Sequence, residues 1–430
     1  MPADSALRYR SASDHLGSAW AMLLALTGGF ALSQAYRTVA AIMAPQLQAE
    51  FGLDPQALGV FAGTFHLAFG ALQLLMGIGI DLYGVRRTVL VAFPLTIAGS
   101  ALSAFTDNFG VLLIGQALIG IGCAPAFLVC TVFIAQRFPA TRYASVSGLV
   151  LGLGGMGMLA TGTPLAWLIE AGTWRSGFVA LGVLSAVAWL AIAYFVRERE
   201  APRATMVDGE RPMGAATGAP ARAERESLGQ ALRGFASLFA MPHTWGILAL
   251  ATVSYAAFVS LRGLWLGPLL VDRYGFSLVA SGNVAIAVSV ASMISPPLFG
   301  RLDPGPATRR RWLLGGTLGC AALFVLLAPG LNAWFDVVIS IAFSLLFGYG
   351  VLQYADVRDA YPASMTGRAL SLFTMALFLG VALMQWLTGV AASFAVARGW
   401  PPFTAAFGTI ALMLGLGALL FARLPQPSKA

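Results

Sequence analysis

Long apolar runs separated by short polar breaks are the main pattern along this chain. A helix that crosses a membrane needs about 20 mostly apolar residues. Breaks at Pro, Gly and clusters of charge divide the chain into twelve runs of roughly this length. The predicted helices are 17–44, 57–80, 87–105, 108–136, 143–169, 175–196, 243–270, 278–300, 311–329, 334–355, 368–392 and 402–423. The pattern therefore predicts an all-α integral membrane protein with twelve transmembrane helices.

The middle of the chain interrupts this pattern. Residues 197–235 are charged and rich in Pro, Gly and Ala, with almost no apolar periodicity, which is typical of a linker. The sequence on its two sides also repeats: Pro45–Gly59 can be laid on Pro268–Gly282 with the Pro, an aromatic–Gly pair and the final Gly in step. Such repeats are typical of transporters built from two parallel halves. We predict two pseudo-symmetric six-helix bundles, residues 1–196 and 236–430, joined by a cytoplasmic linker.

Composition and charge agree with a membrane protein. The chain is 58% hydrophobic and 10% charged, whereas soluble domains average about 25% charged residues. The net charge of +8 is spread over short loops and forms no basic domain, which argues against a nucleic-acid partner. If both termini are cytoplasmic, 21 of the 26 Lys and Arg residues lie inside, three lie on outer loops (Arg175, Arg273, Arg398) and two lie within helices.

This asymmetry predicts cytoplasmic termini, because loops on the inner side of a membrane carry the excess of Lys and Arg. The protein is therefore expected to be a multi-pass protein of the cell membrane. High use of Arg over Lys and compact loops favour a bacterial inner membrane.

A polar motif joins the second and third predicted helices. The stretch GIGIDLYGVRR contains Gly77, Asp81, Gly84, Arg86 and Arg87. Gly77 lets a neighbouring helix approach, and Gly84 supplies a turn conformation that a Cβ would penalise. Asp81 is unfavourable at the C-terminal end of its own helix, so we expect it to face the positive N-terminal end of another helix or an arginine.

The spacing G-x-x-x-D-x-x-G-x-R-R resembles the loop signature of the major facilitator superfamily, and Gly300–Arg311 is a degraded second copy of it. The resemblance implies the fold of that superfamily and secondary transport by alternating access. It also implies that the loop contacts the opposite half and stabilises one access state. Leu82 stands where the family usually has a basic residue after the Asp, so part of the usual charge network is missing.

Two arginines lie inside predicted helices. Arg37 and Arg262 each lie about 20 residues into helices one and seven, which occupy equivalent places in the two repeats. A central Arg costs roughly 2.5 to 3.5 kcal/mol on insertion scales. No carboxylate falls at mid-membrane depth; Glu170, Asp336 and Asp356 come nearest. We expect both arginines to face a water-filled cavity and hold an anion. Snorkelling to the outer interface or pairing with a loop acid is the alternative.

An arginine on each of these helices is similar to the phosphate-clamping pair of the organophosphate:phosphate antiporters. The similarity is limited to Arg37 and Arg262, so phosphate specificity does not follow from it. The anion:cation symporters, which carry organic acids, also place an Arg in this part of helix one, usually beside an Asp. Here the neighbour is Tyr36, which departs from their proton-coupling scheme.

Helical spacing predicts further residues around the two arginines. Gln34 lies three residues before Arg37, and Tyr255 and Trp265 lie seven before and three after Arg262, on the same helical faces. Aromatic rings beside a cation can stack on the cation or on a planar substrate. Packing against lipid or a neighbouring helix is the alternative for these rings.

His66 is the candidate for proton coupling. It lies on a stripe of small and polar residues at intervals of three and four on helix two: Gly59, Gly63, His66, Gly70, Gln73 and Gly77. Such a stripe indicates a face packed against another helix. Histidine is the side chain whose reference pKa lies near neutrality. The alternative is a neutral histidine that is hydrogen-bonded by a neighbouring helix.

Other functional classes fit the sequence less well. Gln116 stands where many proton-driven drug exporters of the superfamily have an Arg. Cys123 and Cys130 share a face of helix four and are conceivable as soft-metal ligands, as for copper, but two unpaired arginines oppose a cation. No Walker motif, metal-spaced His/Cys set, or paired carboxylate and nucleophile is visible. The sequence therefore predicts no enzyme, no metal site and no cofactor.

Together these patterns predict a monomeric secondary transporter that moves a small organic anion, most simply a carboxylate, by alternating access. Exchange for a counter-anion, or symport with a proton, fits the lack of a carboxylate at mid-membrane depth. Three alternatives stay open at this stage: proton-linked export of drugs or metabolites, import of copper, and a non-transporting sensor on the same scaffold.

Overall fold

The computed structural model describes residues 3–197, 235–362 and 365–425, and for residues 3–18, 81, 140, 141 and 144 it describes the backbone alone. All regular secondary structure in these ranges is helical. The helices are α1 (Ala3–Tyr36, continued by Val39–Phe51), α2 (Pro55–Ile80), α3 (Leu82–Phe105), α4 (Phe109–Arg137), α5 (Ala140–Ala160, continued by Thr163–Ala171), α6 (Trp174–Phe195), α7 (Pro242–Arg273), α8 (Leu278–Arg301), α9 (Pro306–Leu327), α10 (Ala333–Ala360), α11 (Thr366–Ala397) and α12 (Pro402–Arg423).

Eleven of these helices, α2 to α12, are long and apolar enough to cross a membrane, counted over the described residues. Helix α1 precedes them and completes the predicted order. The predicted bounds of α2 to α12 agree with the structure to within about five residues. The prediction of an all-α membrane protein with this succession of helices is confirmed.

The prediction of one uninterrupted helix at 17–44 is wrong. Helix α1 breaks at Arg37–Thr38 and then continues to Phe51. The backbone N–H of Thr38 donates to the carbonyl of Ala35, three residues back, at 3.0 Å, and the Thr38 hydroxyl donates to the same carbonyl at 3.2 Å. A threonine hydroxyl that competes for a backbone carbonyl offers the chain an alternative to regular helix, which explains the break.

Four other helices are irregular near their middle. Helix α4 breaks at Ala124–Pro125, and α5 breaks at Thr161–Gly162. Helix α7 widens to a π-helical turn over Leu261–Trp265, and α10 tightens to a 3₁₀ turn over Phe347–Gly350. Such turns leave backbone groups without their regular partners and are frequent at functional sites. The irregular stretches therefore mark where a ligand or a side chain can bind to backbone.

The repeat seen in the sequence is present in the backbone. Gly52 and Gly275, which the sequence alignment places together, both end a helix with positive φ, at 63° and 69°. Asp54 and Ser277, two residues later, both cap the next helix with their side chains. The pair of corners α1–α2 and α7–α8 thus has the same geometry in the two halves.

The loop motif and its second copy also correspond. Gly84 and Gly305 both adopt positive φ, at 84° and 78°. Arg86 on α3 donates to the carbonyl of Ala193 at the C-terminal end of α6, and Arg310 on α9 donates to the carbonyl of Phe421 at the C-terminal end of α12. A cation at that end of a helix satisfies a carbonyl that has no partner within the helix.

The predicted linker, 197–235, falls almost wholly outside the described residues. The division of the chain into 1–196 and 236–430 stays a prediction, and α1–α6 and α7–α12 are named the first and second halves by chain order alone.

The two halves meet along three helix pairs at the end of the molecule that carries the α1–α2 and α7–α8 corners, the outer end in the predicted topology. Helix α1 packs on α7, α2 on α11 and α5 on α8. The approach is close, because a Cβ on Gly263 would lie 2.7 Å from the Arg37 carbonyl oxygen, and one on Gly282 would lie 2.7 Å from the Thr163 nitrogen. Small residues permit such contact between helices. We call this contact the outer seam.

Hydrogen bonds across the outer seam support a closed outer end. Thr163 donates to Asn283 at 2.5 Å, and the backbone N–H of Gln56 donates to Ser393 at 2.8 Å. Further hydrogen bonds between the halves join Arg37 to Tyr255, Arg262 to Met158, Val279 to Glu170 and Ser393 to Asp54. The structure is therefore closed towards the outer end.

Candidate functional site

Arg37 lies at the break in α1, and its side chain turns towards the second half. Its Nη1 donates to the hydroxyl of Tyr255 on α7, and its Nη2 donates to the hydroxyl of Ser33 one turn earlier on α1, both at 3.3 Å. Phe69 and Phe378, from α2 and α11, pack together against one side of the guanidinium, with ring centroids 4.8 and 4.7 Å from it and 4.2 Å from each other. Helices of both halves therefore surround this cation.

The charge of Arg37 is poorly compensated. The residue is 7% exposed, its Nε has no hydrogen-bond partner, and no described carboxylate lies within 4.0 Å of it. Its two hydrogen bonds are long and go to neutral hydroxyls, whereas a guanidinium paired with a carboxylate makes bonds of about 2.7 to 2.9 Å. A buried charge without a paired charge is costly. The edge of this guanidinium is suited to an incoming anion.

Polar side chains surround the same place. Gln34, half-buried, and Gln73, one turn beyond Phe69, each have a buried amide oxygen without a partner. Tyr354 on α10 lies close enough to Arg37 and Tyr255 to interact with both. The neighbourhood of Arg37 therefore offers groups that can hydrogen-bond a polar ligand.

Arg262 has a different environment, although it lies on the equivalent helix. It is 0% exposed. Its Nε donates to the Ala285 carbonyl at 3.1 Å and to the Ser289 hydroxyl at 2.8 Å, both on α8, and its Nη2 donates to the Met158 carbonyl on α5 at 2.8 Å. Its Nη1 is buried without a partner. Arg262 thus joins α7 and α8 to a helix of the first half.

The break in α5 explains why Met158 can accept this bond. A regular helix would pair the Met158 carbonyl with the N–H of residue 162, but Gly162 donates to Leu159 instead. The freed carbonyl accepts from Thr161 and from Arg262. The expectation that Arg262 faces a water-filled cavity therefore does not hold in this conformation, because the residue is 0% exposed and its Nε and Nη2 donate to protein groups.

Trp265 lies away from Arg37. It is buried, its Nε1 donates to the Thr388 hydroxyl on α11 at 3.0 Å, and its ring meets Phe403 on α12 edge-on at 6.1 Å between centroids. These are contacts within the second half. The side chain packs between helices in this conformation, which is the alternative that the sequence left open for it.

His66 lies in an aromatic pocket beside the Arg37 site. Its Nδ1 lies 3.1 Å from the Ala62 carbonyl, and its ring stacks on Phe378 at 6.4 Å between centroids. Gln385 lies next to it, but His66 Nε2 and both amide atoms of Gln385 are buried without hydrogen bonds. Phe378 therefore separates His66 from Arg37 while contacting both.

The loop motif is only partly visible. Gly84 has the turn conformation expected for it. A Cβ on Gly77 would meet Leu128 of α4 at an ordinary 3.8 Å, Arg86 bonds to α6 of its own half, and Arg87 is engaged as well. The side chain of Asp81 lies outside the described residues, so its expected partner stays a prediction.

Several residues of the site and seam were not singled out by sequence. Ser33 is four residues before Arg37, a spacing that places both on one face, so it could have been found. The hydrogen bond between Thr38 and Thr161, at 2.6 Å, joins the breaks of α1 and α5. Thr163 and Asn283 meet across the outer seam. These pairs are 120 residues or more apart, and no local pattern indicates them.

The comparisons with known proteins agree on one family. A family profile described as the Major Facilitator Superfamily matches residues 25–384. The chain is similar to a hexuronate transporter of Bacillus subtilis, 23% identical over 342 residues that cover 77% of this chain and 78% of the relative. It is also similar to a gallate transporter of Pseudomonas putida, 28% identical over 311 residues that cover 68% of this chain and 67% of the relative.

Solved structures show the same fold. A D-xylose–proton symporter superposes with a TM-score of 0.72 at 16% identity, over 95% of this chain and 98% of the other. A bacterial homologue of the human lysosomal transporter Spinster, solved inward-facing and unoccupied, superposes with a TM-score of 0.68 at 17% identity, over 94% and 95% of the two chains. At such identities the likeness concerns the fold alone.

Proposed function

The chain belongs to the Major Facilitator Superfamily, and from this premise we propose that it is a secondary transporter of a small organic anion, most simply a carboxylate, with Arg37 as the residue that binds the anion. The family is one of transporters, so the coarse activity is transport of a small molecule across a membrane. No enzymatic step is proposed.

The observation that carries the proposal is the incomplete pairing of Arg37. Its guanidinium is 7% exposed and bonded to two neutral hydroxyls at 3.3 Å, with Nε unpartnered. A carboxylate that approached in the guanidinium plane would replace long neutral bonds by short charge-assisted ones. Phe69 and Phe378 pack together against one side of the guanidinium, and the anion is proposed to bind at its edge.

Two of the similar proteins point the same way. Hexuronate and gallate, the compounds named for the relatives in Bacillus subtilis and Pseudomonas putida, are both organic acids. Both relatives are matched over about two thirds of their length or more. This favours a carboxylate over a neutral drug, and it leaves the individual acid to experiment.

Alternating access assigns roles to the outer seam and to the site. The outer seam is closed in this conformation, so the anion is proposed to enter or leave Arg37 from the inner end. Opening to the outer end requires the Arg262–Met158 and Thr163–Asn283 bonds to break. Gln34 and Tyr255 complete the proposed site around Arg37. Arg262 becomes available to an anion only after that opening.

The coupling step follows from the same geometry. His66 contacts Phe378, which also covers Arg37, so a change at either group is transmitted to the other through one ring. We propose either exchange of one anion for another or symport with a proton carried by His66 or by the substrate. If His66→Gln leaves transport and its pH dependence unchanged, His66 has no part in coupling.

The proposal includes placement in the membrane. Because Lys and Arg are in excess on one side, we propose that the termini and the inner ends of the helices lie in the cytoplasm of a bacterial cell. The protein would then act in the inner membrane. We propose a monomer made of two six-helix bundles, 1–196 and 236–430.

Thermal stabilisation of the purified protein tests the anion site. A panel of carboxylates, phosphates, sulfonates and neutral amphipathic drugs is compared on wild type, Arg37→Gln and Arg398→Gln. Arg398 is exposed beyond α11, so its variant is a control for loss of one positive charge. A ligand present at about 100 times its Kd adds about 2.7 kcal/mol to stability, which is well within measurement.

We expect carboxylates to stabilise wild type and Arg398→Gln, but not Arg37→Gln. Stabilisation by neutral drugs alone, equal in wild type and Arg37→Gln, would replace the anion transporter by a drug exporter. Accumulation of the stabilising anion in proteoliposomes then separates a transporter from a sensor.

A further inference from the structure

Asp336, at the outer end of α10, is the one carboxylate-bearing residue that is buried among the described residues; its side chain is 0% exposed. The sequence placed it near a helix end. The structure places it inside the second half, behind the end of α7. A buried carboxylate needs a compensating charge and a full set of hydrogen bonds to be stable when ionised.

Asp336 has only part of the compensating charge and only part of the hydrogen bonds that an ionised carboxylate needs. Its Oδ2 accepts a hydrogen bond from the Tyr274 hydroxyl at 2.7 Å, while its Oδ1 is buried without any partner. The nearest cation is Arg273, whose Nη1 lies 3.8 Å from Oδ2, beyond hydrogen-bond distance. These two groups are the titratable and charged side chains that face it from α7 and the α7–α8 loop.

Arg273 is the outermost residue of α7, and it connects that end to the rest of the second half. Its Nη2 donates at 3.5 and 3.4 Å to the carbonyls of Ala328 and Pro329 in the α9–α10 loop, and its guanidinium lies 5.4 Å from the Phe403 ring of α12. The attraction to Asp336 thus helps to hold the end of α7 against three neighbouring segments.

The ion pairs of Arg309, which is itself buried while its two carboxylate partners are exposed, show that this chain also builds complete pairs. Arg309 on α9 donates twice to Asp303, at 3.1 and 2.8 Å, and once to Asp359 at 2.7 Å. That pair has short, aligned bonds. The Arg273–Asp336 pair has a gap of 3.8 Å and a free carboxylate oxygen. An incomplete pair of this kind is more easily converted to a neutral acid and a free cation.

We propose that Asp336 is a proton-binding site at the outer end of the protein, and that a proton on Asp336 releases the end of α7 and lets the outer seam open. The proton comes from the outer medium and adds to the free Oδ1, giving a neutral carboxylic acid. Arg273 keeps its charge and its carbonyl partners but loses the attraction of Asp336.

Helix α7 connects this site to the outer seam. Its outer half runs from Arg262, which bonds to Met158 of the first half, through Gly267, which packs on Ala41 of α1, to Arg273. Loosening of the α7 end at Asp336 therefore weakens the contact between α7 and α1. The site is separate from Arg37, so this inference does not depend on which anion is carried.

Accessibility of the outer seam at different pH values tests the proposal without any substrate. Thr163→Cys places one thiol in the seam, where Thr163 is buried; the native Cys123, Cys130 and Cys320 are buried elsewhere. Labelling by a membrane-impermeant maleimide is measured in proteoliposomes between about pH 5 and about pH 8 and corrected for the intrinsic pH dependence of thiol reactivity on a fully exposed cysteine.

We expect labelling to rise at least about threefold as pH falls. Asp336→Asn, which has the same shape and no charge, is expected to label at the high level at every pH. Tyr274→Phe removes a donor to the ionised carboxylate, so its midpoint moves to higher pH. Three results would each contradict the proposal. They are labelling of Thr163→Cys that does not change with pH, labelling that is unaltered by adding Asp336→Asn, and a labelling midpoint that Tyr274→Phe does not move.

Transport provides a second readout. With an anion that stabilises the wild-type protein, uptake from the outer side should rise as the outer pH falls, and Asp336→Asn should keep uptake but lose this pH dependence. If no anion binds, the proposal for Arg37 fails while the labelling result still decides the role of Asp336. If uptake by Asp336→Asn keeps the wild-type pH dependence, Asp336 does not control the outer seam.

Discussion

Arg37 and Arg262 are the same residue type on equivalent helices of the two halves, but their guanidinium groups differ in how well they are hydrogen-bonded. Arg37 has two hydroxyl partners at 3.3 Å and two aromatic rings against one side of its guanidinium. Arg262 has two backbone carbonyls and a hydroxyl, with donor–acceptor distances of 2.8 to 3.1 Å. In this conformation the first is suited to bind an anion, and the second holds the halves together.

The difference comes from the neighbouring backbone. Arg262 finds a carbonyl at Met158 because α5 breaks at Thr161–Gly162. Arg37 lies at a break of its own helix, but its side chain leaves that break and packs against the adjoining rings of Phe69 and Phe378. The two arginines lie on equivalent helices but have different roles, because their side chains reach different irregular turns.

The largest effect is expected for Arg37→Gln, which tests the binding side of this comparison. Loss of charge-assisted bonds to a carboxylate, each worth about 1.5 to 3 kcal/mol, should weaken anion affinity about 100-fold or more, since 2.7 kcal/mol corresponds to a factor of about 100. Arg37→Lys keeps the charge but lacks the planar guanidinium, so its anion affinity should lie between those of wild type and Arg37→Gln. Titration of thermal stability with the anion measures both; an unchanged affinity in Arg37→Gln removes the site.

Arg262→Gln tests the other side and should leave the anion affinity within about threefold of wild type. Its bonds to α5 and α8 are to neutral acceptors, and their loss is expected to lower stability by about 2 to 4 kcal/mol. It should also raise maleimide labelling of Thr163→Cys, because the tie to Met158 is gone. A loss of anion binding as large as in Arg37→Gln would instead restore the symmetric two-arginine site that the sequence predicts.

A smaller effect is expected for Asn283→Ala, which removes the hydrogen bond to Thr163 across the outer seam. A neutral bond is worth about 1 kcal/mol, enough to shift a balance between closed and open seam by about fivefold. Asn108→Ala is the matched control, because that amide caps α4 within the first half. Opening of the seam, measured by cysteine labelling at a neighbouring position, should change in the first variant and not in the second.

The smallest effect is expected for an ion pair at the inner ends of α8 and α9. This pair involves neither Arg37 nor Arg262 and therefore serves as a reference. Arg309 holds the pKa of Asp303, in the α8–α9 loop, below its ordinary value. The stabilising contribution of the pair is therefore complete above about pH 4, the ordinary pKa of Asp, and is lost as pH falls through the lower folded pKa. Thermal unfolding of wild type and Asp303→Asn should differ by a constant amount from neutral pH down to about pH 5 and converge only in stronger acid.

Much of the fold could be predicted from sequence because its signals are local. Helices α2 to α12 follow from runs of apolar residues, and the paired corners follow from Gly52 and Gly275 in aligned positions. The break at Arg37–Thr38 could not be predicted, since it depends on a threonine hydroxyl that also bonds to Thr161 in another helix.

The candidate site could be predicted from sequence only in part, because local spacing indicates some of its residues and not others. Arg37 and Tyr255 are brought together as their equivalent positions suggested, while the roles of both and of Gln34 stay predictions. Trp265 shares a helical face with Arg262, but the widened turn at Leu261–Trp265 and a hydrogen bond to Thr388 take it into the packing between helices. Helical periodicity assumes a regular helix, and it fails where the helix changes its pitch.

The two paired corners have a consequence for how the chain assembles. Each is fixed by contacts that span only a few residues: Gly52 bonds back to Gln48 and Ala57 to Asp54, and in the second half Gly275 bonds back to Val271 and Ala280 to Ser277. Contacts of such short range form early, because little chain must be ordered to make them. The hairpins α1–α2 and α7–α8 can therefore take shape during synthesis, before the opposite half has entered the membrane.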